Sequence, residues 1–262
     1  MSRFVEHGHT ANTKVAIALA WTCAACSVSS GPPQYEVVQQ LPHDTGAYTQ
    51  GLVYSAGRIY ESTGRLGSSQ LRRLDATTGA LEASVDLSAD RFGEGLALLE
   101  GKLYQLSWKS GIGYVYDVAT LALQDSFSYR GEGWGLATDG TSLIMSDGTS
   151  ILRALDPLTF EVQREVTVTD DGLPLSQINE LEYIRGDLYA NIYQSDWIVR
   201  IDPGSGEVRG WIDLAGILPA DQRTTATDVL NGIAFNDDTG HLFVTGKLWP
   251  WMFEIRLHDL PD

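Results

Sequence analysis

One short frame occurs five times in this chain, and that recurrence limits the possible fold more than any other feature. TQGLVY from Thr49, GEGLAL from Gly93, GWGLAT from Gly133, INELEY from Ile178 and LNGIAF from Leu230 align on their second residues, Gln50, Glu94, Trp134, Asn179 and Asn231. Successive spacings between those residues are 44, 40, 45 and 52. Within a repeat, apolar runs are separated by tight-turn signals such as Glu100-Gly101, and later strands end on matching turns. These are RRLDATTG to Gly79, VYDVATL around Asp117, ALDPLTF to Phe160 and RIDPGSG to Gly206. A repeat of roughly 40–50 residues carrying about four short strands is the signature of a β-propeller blade. The sequence therefore predicts an all-β chain, a five-bladed β-propeller in one domain over residues 35–262.

The blades are expected from Gln50 to about Leu87, Glu94 to Tyr129, Trp134 to Val168, Asn179 to Leu214 and Leu230 to Leu257. The last has room for only three strands. Tyr35–Leu41, YEVVQQL, reads as a strand that arrives before the first blade, so it is expected to complete the last one and close the ring. Closure of this kind removes exposed sheet edges. Residues 215–229 form the longest connection, with a short helix expected at Pro219-Ala220-Asp221.

Residues 1–34 read as a presequence and tether outside the ring. Lys14 precedes Val15–Cys26, an apolar run too short to span a bilayer and of the length of a secretory signal core. Ala24-Ala25-Cys26-Ser27 resembles a bacterial lipoprotein cleavage site; an ordinary cut near Ala25 and an unprocessed tail are the alternatives. The expectation is an exported monomer, periplasmic or extracellular, tied to a membrane by at most a lipid anchor. Cys23 and Cys26 are the only cysteines of the 262 residues, so the ring can owe nothing to disulfides or thiolate chemistry.

With 34 acidic against 18 basic residues and a net charge of −16, the chain is a poor partner for nucleic acid. His43, His241 and His258 lack ligand-like spacing and read as surface or strand-end residues; HExxH and GxSxG are absent. No metal and no cofactor are expected.

In an up-and-down blade the head of the first strand and the end of the second share one rim, because each hairpin reverses direction. The five frame heads should therefore encircle the mouth of the central channel. Fourteen residues on come Gly64, Trp108, Gly148 and Tyr193, and sixteen on in the last blade comes Lys247, as a second layer. The scaffold repeats while the polar groups differ from blade to blade, which is the pattern of a site. Glu94 is the one head able to carry a proton, and indoles beside it would raise its pKa by desolvation. A lone carboxylate among aromatics also suits binding of an ammonium group. A third option pairs Glu94 with Glu132, Glu180, Glu182 or Asp228 as a glycosidase couple. A propeller that binds a ligand or protein without catalysis is the remaining rival.

Eight segments, one or more in every blade, then carry a resemblance. YTQGL at Tyr48, ESTGRLGSSQLRRLD from Glu61, FGEGLALLEGKLYQLSWK from Phe92, GEGWGL at Gly131, INELEYI at Ile178, ANIYQSDWIVRIDP from Ala190, and LNGIAF with GKLWPWMFEI at Gly246 together resemble the plant and bacterial type of glutaminyl cyclase, or glutamine cyclotransferase. The resemblance implies a five-bladed propeller, free of catalytic metal, that converts N-terminal glutamine of peptides or proteins into pyroglutamate with release of ammonia. It further implies that Glu94 is the acid/base carboxylate, that Gln50, Asn179 and Lys247 position and polarise the γ-amide, and that Trp108 and Trp134 wall the pocket. Tyr193 stands where the family usually has tryptophan.

Overall fold

The structure is a computed structural model that describes residues 34–260. Apart from Gln34, the expected presequence with its cysteines lies outside the described residues. The described residues form five antiparallel four-stranded sheets and one small hairpin, four of the five sheets built from consecutive strands. Their innermost strands are Thr49–Ser55, Gly93–Leu99, Leu136–Thr138, Ile178–Ile184 and Leu230–Asn236. In the fifth sheet the outermost strand is Tyr35–Pro42, paired antiparallel from Tyr35 opposite Leu257 to Pro42 opposite Trp251. The expected closure is therefore present.

Burial follows the radial order of the strands. All seven residues of Leu230–Asn236 are buried, whereas the outer strand Leu81–Asp86 alternates exposed and half-buried residues. Five hydrophobic clusters lie between sheets rather than within them, and each joins one blade to the next. Val53, Tyr60 and Leu71 of blade one meet Leu96, Leu103 and Tyr116 of blade two, while Leu52 and Ile59 meet Ala234 and Phe243 across the closing seam. The apolar positions of the repeat thus assemble the ring by packing sheet on sheet.

The inner strands approach one another so closely that the residue after each frame head is glycine in four blades. A Cβ on Gly95 would stand 2.4 Å from the Leu136 nitrogen, and one on Gly135 only 2.0 Å from the Asn179 carbonyl oxygen. Blade four has Glu180 at that position instead. Its carboxylate accepts the N–H of Leu52 at 3.1 Å and of Ile233 at 2.9 Å, so it crosses from blade four to blades one and five. Glu182, two residues on, accepts the N–H of Phe235 at 2.8 Å.

The recurrent aspartates at the ends of third strands hold their turns. Asp75 accepts the N–H groups of Thr77 and Thr78, and Asp202 those of Gly204 and Ser205. Residues four positions on, Gly79, Leu121, Phe160 and Gly206, all have positive φ. Glycine is needed at two of them, where a Cβ would meet Pro42 O at 2.3 Å and Thr167 O at 2.2 Å. One element was not expected from the sequence: a small hairpin, Thr169–Asp170 with Leu173–Pro174, between blades three and four. Within residues 215–229 the helix is a single 3-10 turn, Ala220–Gln222, preceded by Pro219.

Candidate active site

Each inner strand that carries a polar head is bulged at that head. Thr49 pairs with Thr63 but Gly51 with Ser62, and Gly93 pairs with Ser107 but Leu96 with Gln105; one extra residue enters at Gln50 and at Glu94. Blades four and five show the same irregularity between Ile178 and Leu181 and between Leu230 and Ile233. A bulge at the rim of a sheet turns a side chain out of the regular alternation. A second recurrent bond then sets the next layer: the N–H groups of Gly64, Trp108, Tyr193 and Lys247 donate to the carbonyls of Tyr48, Phe92, Gln177 and Val229. The residue two before each head is thereby held beside the residue that ends the second strand.

The result is a pocket of about 210 Å³ lined by Tyr48, Gln50, Phe92, Glu94, Trp108, Trp134, Asn179, Tyr193 and Lys247. All seven residues singled out from the sequence are brought together. Two aromatic walls enclose them. Tyr48, Phe92 and Trp108 form one, with ring centres 6.1 and 5.6 Å apart in sequence; Trp134 and Tyr193 meet edge to face at 5.5 Å and form the other. Lys247 bridges the walls, its Nζ 4.9 Å from the Tyr48 ring centre and 5.2 Å from that of Tyr193.

Three of the expected rim positions behave differently. Gly64 and Gly148 add no lining of their own; they make room for rings, since a Cβ would fall 2.3 Å from Phe92 Cε1 and 2.6 Å from Trp134 Cη2. Asn231 does not line the pocket and is fully buried. Its Nδ2 donates to Thr49 O at 3.0 Å and to Gln50 Oε1 at 3.2 Å, and Gln50 Nε2 in turn donates to Glu94 Oε1 at 3.1 Å. Asn231 thus fixes which way the Gln50 amide faces. Asn179 is buried too, but its carboxamide makes no hydrogen bond among the described residues and is left for a ligand.

Tyr48, Phe92, Glu132 and Asp228 were not among the expected lining and support residues. The missed signal is an offset: Tyr48, Phe92 and Glu132 each stand two residues before a frame head. Glu132 Oε2 accepts both indole N–H groups, from Trp108 at 2.7 Å and Trp134 at 3.1 Å, so one carboxylate orients two walls. Asp228 accepts the Tyr48 hydroxyl at 3.0 Å. None of the four carboxylates considered as a glycosidase partner for Glu94 lines the pocket: Glu132 and Asp228 support its walls, while Glu180 and Glu182 bind backbone N–H groups among the inner strands.

Burial pushes the Glu94 carboxyl well above its usual range; the Lys247 ammonium draws it back, and Glu132 adds a lesser upward push. Lys247 is held below its usual value by burial, against the attraction of Glu94 and Asp228. Partial burial of Glu132 is outweighed by the indole bonds from Trp134 and Trp108 and by Lys109, which keep its carboxyl low. The pocket therefore holds one buried carboxyl group with a raised pKa and one buried amine with a lowered one. Among the described residues, no three or more His, Cys, Asp or Glu side chains gather closely enough to hold a metal ion.

The sequence model of the family described as glutamine cyclotransferase matches residues 12–257. The chain belongs to the glutamine cyclotransferase family. It is 44% identical over 230 residues to a protein of Arabidopsis thaliana named glutaminyl-peptide cyclotransferase, a match covering 86% of this chain and 71% of that protein. The crystal structure of Myxococcus xanthus glutaminyl cyclase superposes with a TM-score of 0.81 at 38% identity, covering 88% of this chain and 100% of that one. The likeness to this solved cyclase agrees with the five-bladed ring.

Proposed function

We propose that this cyclotransferase is a glutaminyl-peptide cyclotransferase, an acyltransferase that closes the N-terminal glutamine of a peptide or protein into pyroglutamate and releases ammonia. The observation that carries the reading is the single buried carboxylate, Glu94, fixed by Gln50 and Asn231 within a pocket of indoles and one ammonium. The substrate's α-amine attacks its own γ-carbonyl carbon. A C–N bond forms, the γ-amide C–N bond breaks, and one proton must travel from the attacking to the departing nitrogen. A buried carboxyl whose pKa is raised above the usual carboxylate range can accept that proton and return it. Lys247, Asn179 and Gln50 face the γ-amide in this scheme, with Lys247 balancing negative charge on the carbonyl oxygen.

The reaction is intramolecular, so the walls contribute by holding the folded conformer. Orientation alone is worth up to roughly 7–11 kcal/mol in favourable intramolecular cases. Tyr193, in place of the tryptophan usual in the family, is smaller than an indole and is expected to act on affinity rather than on bond making. No step in the scheme calls on a metal or a cofactor. We propose further that the chain is exported, with at most a lipid anchor at Cys26, and acts as a monomer; its presequence pattern and closed ring support this.

Incubation of the purified chain with a Gln-initiated peptide, followed by mass spectrometry and ammonia assay, tests the reading. Equal amounts of pyroglutamyl peptide and ammonia are expected. A folded protein that binds such peptides without converting them would instead mark a binding propeller.

A further inference from the structure

The aromatic wall formed by Phe92 and Trp108 has a second side. There it borders an open cleft of about 500 Å³, lined also by Arg65, Leu66, Asp90 and Lys109. Its floor is apolar, and Leu66 lies 67% exposed beside the two rings, an aliphatic side chain with no core to enter. Its rim is cationic in a chain whose net charge is −16. The Arg65 guanidinium stands 5.0 Å from the centre of the Tyr48 ring, itself a lining residue of the pocket. Arg65 has no carboxylate partner among the described residues, whereas Asp90, the acid of the cleft, is taken by Arg91 at 2.6 Å. Lys109 lies 4.0 Å over the Trp108 ring and 3.5 Å from Glu132.

The cationic side of the cleft sits on a defined turn. Ser68 N and Ser69 Oγ both donate to the Arg65 carbonyl, at 3.1 and 2.8 Å. Chemistry then makes the cleft relevant. Cyclisation uses up the amine and side chain of the first residue, and the rest of the peptide continues from that residue's carbonyl carbon. The rest of the peptide must leave the pocket through its open side, and the cleft shares two walls with the pocket, Phe92 and Trp108.

We propose that the cleft receives the residues following the N-terminal glutamine, seating an apolar side chain on Leu66, Phe92 and Trp108 and a carboxylate beside Arg65. This rests on the cyclase reading above and names the substrates that reading prefers: peptides with an apolar second residue and an acidic third. Exposed ion pairs are worth about 0.2–1 kcal/mol, or up to roughly fivefold in specificity. Partial burial of a leucine side chain adds a gain of similar size.

The test compares kcat/KM, by ammonia release, on Gln-Gly, Gln-Leu-Glu and Gln-Leu-Lys, all amidated so that only side chains differ in charge. Gln-Leu-Glu is expected to exceed Gln-Leu-Lys by about two- to fivefold at low salt, with the gap closing at high salt. Arg65→Glu, at an exposed position, should reverse the order of the two tripeptides, and Leu66→Ser should shrink the advantage of both over Gln-Gly. Turnover of Gln-Gly with equal rates on both tripeptides, or a charge preference that survives Arg65→Glu, would overturn the cleft assignment and leave the cyclase intact. No turnover of Gln-Gly would remove the cyclase reading and this proposal with it.

Discussion

At the scale of single residues the site is a set of side chains whose properties depend on each other. Glu94 is lifted by burial and drawn down by Lys247. Replacing Lys247 by methionine removes the downward pull, so the Glu94 pKa rises further. The acidic limb of the pH profile of kcat/KM, where in the proposed scheme Glu94 loses its proton to act as a base, should move to higher pH. An unmoved limb in Lys247→Met would show that the two groups are not coupled. Glu132 acts through others: it touches Trp108 and Trp134 and holds both indoles by their N–H groups. Glu132→Ala should raise KM more than it lowers kcat and alter tryptophan fluorescence, because two walls lose their orientation without loss of the proton carrier. A fall in kcat alone, with unchanged fluorescence, would contradict that role. The frame heads could be read from the sequence because residue type varies there against a constant background. Asn231 shares the frame yet does not line the pocket, since strand period does not reveal which way a bulged residue turns. Glu132 escaped notice because its task, accepting two indole N–H groups, is visible only once both indoles are placed.

At the scale of elements, the bulged heads and the close approach of inner strands set the site's dimensions. Gly135 shows how little slack there is, with space for no Cβ beside the Asn179 carbonyl. Gly135→Ala is expected to cost about 1–3 kcal/mol or more, read as a lower denaturant midpoint. Gly210→Ala, on an outer strand with nothing within 4 Å of the new Cβ, should be within about 0.5 kcal/mol of wild type. Equal midpoints for the two variants would show that the inner strands can move apart. Blade number, strand order and closing strand were legible because a propeller repeats its turn chemistry: Asp75, Asp117, Asp156 and Asp202 each accept N–H groups of the turn that follows. The hairpin of Thr169–Asp170 and Leu173–Pro174 occurs once, so no repeat announced it. Glu180 was legible as an acid but not as a brace, since its two N–H partners lie in blades one and five, far away in sequence.

For the whole molecule, the closing seam is the place where both ends of the ring must meet. His43 joins them. Its Nδ1 faces Trp249 O at 2.8 Å in blade five, and its Nε2 faces Glu61 Oε1 at 2.9 Å in blade one. Two acceptors around one ring favour the doubly protonated imidazolium, and contrary to the surface expectation the side chain is buried. Burial disfavours the charge, but Glu61 and the two hydrogen bonds prevail and raise the His43 pKa; Glu61, also opposed by burial, is kept low by His43 and Arg72. A raised histidine contributes stability that is complete below about pH 6.5 and is lost as pH climbs through the folded value. Tm should therefore fall more steeply above about pH 6.5 in wild type than in His43→Gln. Parallel slopes would mean that the seam is not held by a charged His43. The ring so closed brings the five frame heads to one rim of the propeller. We propose that one of them, Glu94, carries the proton in a cyclisation that needs no metal. The most direct test is ammonia release from Gln-Gly amide in the presence of a chelator, with wild type and Glu94→Gln side by side and both shown to be folded. Turnover is expected to survive chelation in wild type and to fall by about 10²-fold or more in Glu94→Gln; near-full activity in that variant, or loss of wild-type turnover to the chelator, would rule this mechanism out.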